Sequence, residues 1–198
     1  MNKREQTRQT IIKSAIKLFS EKGYEYTSVD ELVQSSGIAK GTYYYHFKRK
    51  EDVLMTIIEQ DFEEYFMIPE KISYSNNLSA PNKMHQVMIA LFTRYKSFSG
   101  IESYFDQGIS SHYKTAINEI RLNRIIPIFE RIIRQGALEG NFDIKQPSVI
   151  SSLIVRGILS HIDDVISDFS SNEDFNKLLS GIDELLSKVL GTRFKLNI

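Results

Sequence analysis

The chain has 198 residues, 41% of them hydrophobic, which is enough to bury a core, and it contains no cysteine. The absence of cysteine excludes disulfide scaffolds, thiolate zinc sites and cysteine nucleophiles, and it favours an intracellular compartment. The apolar runs are far shorter than the roughly 20 residues of a membrane span, and the first residues lack the apolar core of a signal peptide, so we expect a soluble cytoplasmic protein.

The charges are distributed unevenly along the chain, although the 25 basic and 25 acidic side chains cancel. Residues 1–50 carry ten Lys and Arg against five Asp and Glu, whereas residues 51–198 carry fifteen against twenty. A basic first part joined to an acidic second part is expected if only the first part meets a polyanion such as nucleic acid. Ordinary solvated surfaces are the alternative interpretation.

The first predicted elements are two helices joined by a short connection. A stripe of apolar residues at helical spacing predicts a helix over about residues 7–22, which Gly23 ends. Thr27 or Ser28 is expected to cap the second helix through its hydroxyl group. The small residues 35–37 then interrupt the pattern before a third, shorter helix begins.

The third helix, over about residues 39–45, belongs to the stretch KGTYYYHFK at positions 40–48. Gly41, Thr42 and the tyrosines are poor helix formers, so this helix must dock onto the first helix and onto the next one, over about residues 50–67. Two helices joined by a short turn with glycine form a helix-turn-helix. Rings beside positive charge on such a helix indicate a contact surface, while packing of all the rings in the core is the alternative.

The rest of the chain is also predicted to be helical. After Pro69 the polar segment KISYSNNLSAPN indicates a loop and a domain boundary. Pro127 is expected to kink the helix in which it lies. The chain is therefore predicted to be all-α with about nine helices and no strand pairs. The helices after the boundary are predicted over residues 82–98, 102–113, 114–138, 146–169 and 172–190.

The N-terminal pattern resembles the DNA-binding domain of the tetracycline-repressor (TetR) family, through the stretches LFSEKGYEYTSV, GIAKGT and YYYHFKRKEDVL. The resemblance implies a DNA-binding domain over residues 5–65 with its helix-turn-helix at about 28–47, and a ligand-binding and dimerisation domain over residues 66–198. It also implies a transcription factor, most often a repressor, that binds a palindromic operator as a homodimer and is released by a small ligand. The matched positions are Gly23, Thr27, Gly37, Gly41, Thr42, Tyr44, Phe47 and Lys50.

The resemblance further implies which residues hold the DNA backbone. Thr27 and Ser28 would present a hydroxyl group and helix N-terminal amides to a phosphate. Tyr44, His46 and Lys50 would be further backbone contacts, and a local hydrogen bond is the alternative role for His46.

The start of the third helix would reach the base edges. Lys40 could pair with guanine O6 and N7, while Thr42 and Tyr43 offer methyl or ring contact to thymine. Gly41 would let the DNA come close. Position 43 commonly holds a smaller aliphatic residue in the family, so Tyr43 is left open as a base reader or a phosphate ligand. Tyr45 and Phe47 are expected to serve mainly in packing, and these two are not counted among the DNA contacts.

The second domain is expected to dimerise and to bind an effector. The helices over residues 146–169 and 172–190 would pair with their symmetry mates in a four-helix bundle, although their apolar stripes could instead cover the core of the monomer. An effector pocket for a mostly apolar ligand is expected among aromatic and polar residues of the middle helices, which plain core packing would also explain. Its candidate residues are Phe92, Tyr95, Tyr104, Phe105, His112, Tyr113, Asn123 and Phe129.

Catalysis is not expected from this sequence. The four histidines lack the spacing of metal ligands, and there is no serine-nucleophile motif or phosphate-binding glycine loop, so no metal and no cofactor are predicted. A helical adaptor that binds protein through its aromatic surface is the alternative function. DNA binding predicts a steep loss of affinity with salt, and the adaptor predicts a weak one.

Overall fold

The computed structural model describes residues 2–97, 111–165 and 172–193. Eight helices and no strand occur in these residues, which confirms the all-α prediction. One predicted helix, over residues 102–113, is not among the eight. Its residues 102–110 lie outside the described residues, and residues 111–113 begin α6. The helices are α1 (Lys3–Lys22), α2 (Val29–Ser36), α3 (Lys40–His46), α4 (Lys50–Tyr74), α5 (Ala80–Ser97), α6 (Ser111–Leu138), α7 (Pro147–Val165) and α8 (Asn172–Leu190). Within the described ranges, no helix combines the length and the hydropathy needed to cross a membrane.

The chain divides into two compact units, Met1–Glu64 with Ser97–Ile117, and Tyr65–Lys96 with Asn118–Ile198. The first unit is built on α1, α2, α3 and the first part of α4. Its core is a set of apolar side chains contributed by all four of these helices. They are Ile11, Ile12, Ala15, Phe19, Leu32, Tyr43, Phe47, Val53, Leu54, Ile57 and Ile58, each at most 5% exposed.

The termini of α2 follow from its sequence. The Ser28 hydroxyl accepts from the backbone N–H of Glu31, and the Glu31 carboxylate accepts from the Ser28 N–H at 2.8 Å, which completes a capping box. Gly37 ends the helix with φ of 66°, in the left-handed region that favours glycine. The chain therefore turns sharply after α2 and brings α3 against it.

The fourth helix is longer than predicted, because α4 continues through Pro69 to Tyr74. The predicted loop is reduced to residues 75–79 between α4 and α5. Contacts from α6 hold the extension: Arg131 donates to the Ser73 hydroxyl at 2.7 Å and to the Tyr74 hydroxyl at 2.7 Å. These contacts offset the backbone hydrogen bond that proline removes.

The second unit is a packing of α5, α6, α7 and α8 with the end of α4. Phe92 of α5 meets Phe175 of α8 edge to face, with ring centroids 6.1 Å apart. Lys83 is 4% exposed, and its ammonium group donates to the Ser73 carbonyl oxygen at 3.0 Å and to Gln135 at 2.6 Å. These contacts join α5 to the end of α4 and to α6.

Candidate nucleic-acid interface

One side of α3 is exposed and carries both rings and charge. Because successive residues of a helix are 100° apart, Lys40, Gly41, Tyr44 and Tyr45 lie on one face, and all four are exposed. Tyr45 is 66% exposed and Tyr44 is 47% exposed. This face of α3 therefore presents two aromatic side chains and an ammonium group to solvent.

Tyr43 lies on the opposite side of α3 and is 0% exposed, so its predicted contact with DNA is wrong. Its ring packs against Phe47, with centroids 6.2 Å apart, and burial raises the pKa of the Tyr43 hydroxyl to about 12. The prediction that Phe47 packs in the core is confirmed, since it is 4% exposed. Tyr45 is expected to serve mainly in packing, but it is 66% exposed, so that expectation is wrong.

Ser28 and Thr27 differ in their access to solvent. Ser28 is exposed at the N-cap of α2, beside the first backbone amides of that helix. Thr27 is 1% exposed, and its hydroxyl donates to the Gly23 carbonyl oxygen at 2.8 Å. The predicted phosphate contact of the Thr27 hydroxyl is therefore corrected to a contact within the turn after α1.

Lys50 is likewise turned inward. Its ammonium group donates to the carbonyl oxygens of Tyr24 at 2.8 Å and Thr27 at 2.9 Å. Burial lowers the pKa of Lys50. These two carbonyl oxygens take two of the three N–H donors of Lys50, so the predicted contact of Lys50 with the DNA backbone stays a prediction for the third.

Lys40, Thr42 and His46 complete α3. The ammonium group of Lys40 lies 2.6 Å from a carboxylate oxygen of Asp30, which raises the pKa of Lys40. Thr42 and His46 are half-buried, and the His46 ring meets the Tyr45 ring edge to face, with centroids 5.2 Å apart. His46 therefore supports the exposed ring of Tyr45.

The structure adds basic residues that sequence reasoning missed. The guanidinium carbon of Arg4 lies 5.4 Å from the centroid of the Tyr45 ring. Arg8 lies 5.2 Å from the Phe47 ring and donates to the Thr56 hydroxyl at 3.1 Å. The helical period of α3 could have revealed Tyr45, whereas no local pattern places the start of α1 beside residue 45.

The predicted effector residues are only partly described. Phe92 and Phe129 are buried in the packed core of the second unit, at 5% and 2% exposure, and Asn123 is exposed on α6. The exposure of Asn123 corrects its predicted place in a pocket lining. Other candidates fall outside the described residues, either entirely or in their side chains: Tyr95, Tyr104, Phe105, His112 and Tyr113.

A groove of about 660 Å³ runs between α7 and α8. Its lining includes Gly157 and His161 of α7 and Gly181 and Leu185 of α8. Apolar side chains of both helices are exposed; they are Val149 at 54%, Leu153 at 63% and Leu185 at 41%. This pair of helices thus presents an apolar face with a groove in it.

Comparison with known proteins gives matches over the first unit and over most of the chain. The family model of bacterial regulatory proteins of the tetR family matches residues 11–56. The HTH-type transcriptional regulator QacR of Staphylococcus aureus is 28% identical over 161 residues, which is 76% of this chain and 82% of QacR.

Solved structures show the same fold. SmeT, the repressor of the Stenotrophomonas maltophilia multidrug efflux pump SmeDEF, has a TM-score of 0.68 at 19% identity and covers 96% of this chain and 97% of its own. The transcriptional regulator FadR from Bacillus subtilis in complex with stearoyl-CoA has a TM-score of 0.62 at 21% identity, covering 94% of this chain and 99% of its own. Residues 11–56 thus match the tetR family of bacterial regulatory proteins, and the sequence relatives and the shared fold over the rest of the chain support a transcriptional regulator of the TetR family.

Proposed function

We propose that the chain is a repressor that binds a palindromic DNA operator as a homodimer and is released by a small, largely apolar ligand. The exposed side of α3 carries the DNA-binding part of the proposal. Its rings and its ammonium group face outward, while Tyr43 and Phe47 anchor the helix from behind. A seven-residue helix fixed in this way can enter the major groove as a rigid element.

The chemistry of this face suits DNA. Lys40 can donate to guanine O6 and N7, and the rings and hydroxyl groups of Tyr44 and Tyr45 can contact the thymine methyl group or a phosphate. Gly41 is exposed between these side chains, where the absence of a side chain allows close approach. Arg4 stands beside Tyr45 as a further phosphate ligand.

The dimer part of the proposal is supported by the exposed apolar side chains of α7 and α8. A second copy of the chain would cover them through an isologous interface and fill the groove between the two helices. Leu153→Glu and Leu185→Glu each introduce a charge into this face, so both variants are expected to sediment as monomers and to lose operator affinity. Leu138→Glu, at an exposed leucine of α6, is the matched control and should remain a dimer.

The ligand part of the proposal takes its support from proteins of the same fold. SmeT forms a complex with triclosan and FadR forms one with stearoyl-CoA, and both triclosan and the stearoyl chain are largely apolar. A ligand can release a repressor only by binding one of two conformations more tightly than the other. Helix α4 contains residues of both units and is the element whose movement would change the spacing of the two recognition helices, about 34–36 Å for successive major grooves.

Selection of bound fragments from genomic DNA with the purified full chain tests this function. We expect enrichment of a palindrome, with an affinity that falls steeply as salt rises because Lys and Arg release counterions from the DNA. An adaptor that binds protein would enrich no sequence and would show weak salt dependence. Binding of the selected palindrome that no bound ligand weakens would overturn the ligand part alone.

A further inference from the structure

An acidic side chain stands beside the exposed face of α3. Asp30 is the second residue of α2, and its carboxylate lies 2.6 Å from the ammonium group of Lys40, the first residue of α3. Both side chains are largely exposed, Lys40 at 57% and Asp30 at 73%. A carboxylate in this place opposes the approach of DNA phosphates, so its presence calls for an explanation.

Capping of α2 does not provide that explanation. The capping box is made by Ser28 and Glu31, and the Glu31 carboxylate also pairs with Lys22 of α1. Asp30 does place a favourable negative charge in the first turn of α2. This interaction with the helix dipole does not require the carboxylate to point toward Lys40. Its carboxylate instead pairs across the turn with Lys40, which lies on the exposed face of α3 that is proposed to contact DNA.

We infer that Asp30 determines specificity by holding Lys40 as a reader of bases and preventing it from acting as a general phosphate ligand. This inference rests on the proposed DNA-binding function. The ammonium group has three N–H donors, and the bond to Asp30 uses one of them. The two that remain match the O6 and N7 acceptors of a guanine, so Lys40 can read that base without leaving Asp30.

The same pair discriminates against other sequences. Beside Asp30, Lys40 contributes little net positive charge to the surface, and a nearby phosphate is repelled by the carboxylate as it is attracted by the ammonium group. Non-specific binding depends almost entirely on such phosphate contacts. Asp30 therefore weakens non-specific binding more than it weakens binding to a site with guanine in reach of Lys40.

Asp30→Asn tests this inference, because it removes the charge while keeping nearly the same shape. Affinities are measured over a series of salt concentrations for the selected operator and for a random-sequence duplex of equal length. We expect the affinity for the random duplex to rise about fivefold at 150 mM salt, with the salt slope steeper by about 0.9, as for one added phosphate contact. Operator affinity should change less, so the ratio of operator to random affinity falls.

Two comparisons separate this effect from general charge and from misfolding. Glu21→Gln changes the net charge by the same amount at an exposed acid of α1 and should leave the ratio unchanged. In a Lys40→Met background, Asp30→Asn should no longer alter the ratio, because the cation that it releases is absent. Thermal melting checks that each variant is folded.

The outcomes distinguish the two proposals. A wild-type chain that prefers its operator, together with an unchanged ratio in Asp30→Asn, overturns the role of Asp30 and leaves DNA binding intact. An equal fall of the ratio in Glu21→Gln also overturns it, since charge alone would then be the cause. A wild-type chain without sequence preference or salt dependence overturns the DNA-binding function itself.

Discussion

The ammonium group of Lys50 lies 4.1 Å from the centroid of the Tyr24 ring and donates to the Tyr24 carbonyl oxygen at 2.8 Å. A second bond, of 2.9 Å, goes to the Thr27 carbonyl oxygen. The first residue of α4 is thereby tied to the segment between α1 and α2. Lys50 thus supports the segment that leads into α2.

Lys50→Met is expected to destabilise the chain by about 1–3 kcal/mol, because the carbonyl oxygens of Tyr24 and Thr27 both lose the Lys50 donor and only the Thr27 N–H still donates to Tyr24, at 3.1 Å. Urea denaturation measures this loss, and Lys48→Met, at an exposed neighbour, should stay within about 0.5 kcal/mol of wild type. The salt slope of DNA binding in Lys50→Met tests the third donor of Lys50. A slope shallower by about 0.9 would show that this donor contacts a phosphate, and an unchanged slope would show that it does not.

Tyr43→Phe is expected to stabilise the chain slightly, by up to about 1 kcal/mol. The buried Tyr43 hydroxyl has no hydrogen-bond partner among the described residues, so the substitution removes an unsatisfied polar group and keeps the ring. Tyr43→Ala should cost about 3–5 kcal/mol, because it leaves a cavity behind α3. A loss of more than 1 kcal/mol for Tyr43→Phe in chemical denaturation would indicate a partner for the hydroxyl.

Tyr43 and Tyr45 show which features of the structure could be predicted from the sequence. Helical periodicity was sufficient for α8, and applied to α3 it would also have placed Tyr45 outside and Tyr43 inside. The preference of hydroxyl side chains for helix N-termini narrowed the cap of α2 to Thr27 or Ser28, and the structure has Ser28. The role of Lys50 could not be predicted, because its acceptors are backbone carbonyl groups 23 and 26 residues earlier in the chain. The end of α4 could not be predicted either, because contacts from the distant helix α6 allow α4 to continue past Pro69.

Glu31 makes the stability of the first unit sensitive to acid. The hydrogen bonds from Lys22 and Ser28 lower the pKa of Glu31 from 4.5 to about 2. Since the folded state binds this proton less readily than the unfolded state, the stabilisation is fully present above pH 4.5 and is lost as the pH falls toward 2. Between these values the melting temperature of Glu31→Gln should fall less steeply than that of wild type. Parallel melting curves for the two chains would contradict this assignment.

Arg4→Ala is expected to weaken DNA binding without unfolding the chain. Arg4 is exposed at the start of α1 and stands against the ring of Tyr45, so it can reach a phosphate beside the exposed face of α3. Loss of one phosphate contact should make the salt slope shallower by about 0.9 for the operator and for random DNA alike. Lys13→Ala removes an exposed charge on the opposite side of α1 and is the control. Equal slopes for Arg4→Ala and wild type would place Arg4 outside the interface.

Gly136→Ala sets two effects against each other inside α6. Alanine in place of glycine within a helix normally stabilises a protein by about 1 kcal/mol. Here a Cβ at position 136 would come within 2.0 Å of the Phe142 ring, which is 3% exposed. The backbone of Phe142 cannot easily move away from α6 to relieve this contact, because the Phe142 N–H donates to the Gly136 carbonyl oxygen at 3.0 Å.

The clash should therefore prevail, and Gly136→Ala is expected to destabilise the chain by about 1–3 kcal/mol in urea denaturation. Phe142→Ala removes the ring and its Cγ, the atoms that lie 2.0–2.7 Å from the added Cβ, so adding Gly136→Ala in that background should cost much less than it does in wild type. Equal costs in the two backgrounds would mean that the ring of Phe142 does not fill the space beside Gly136.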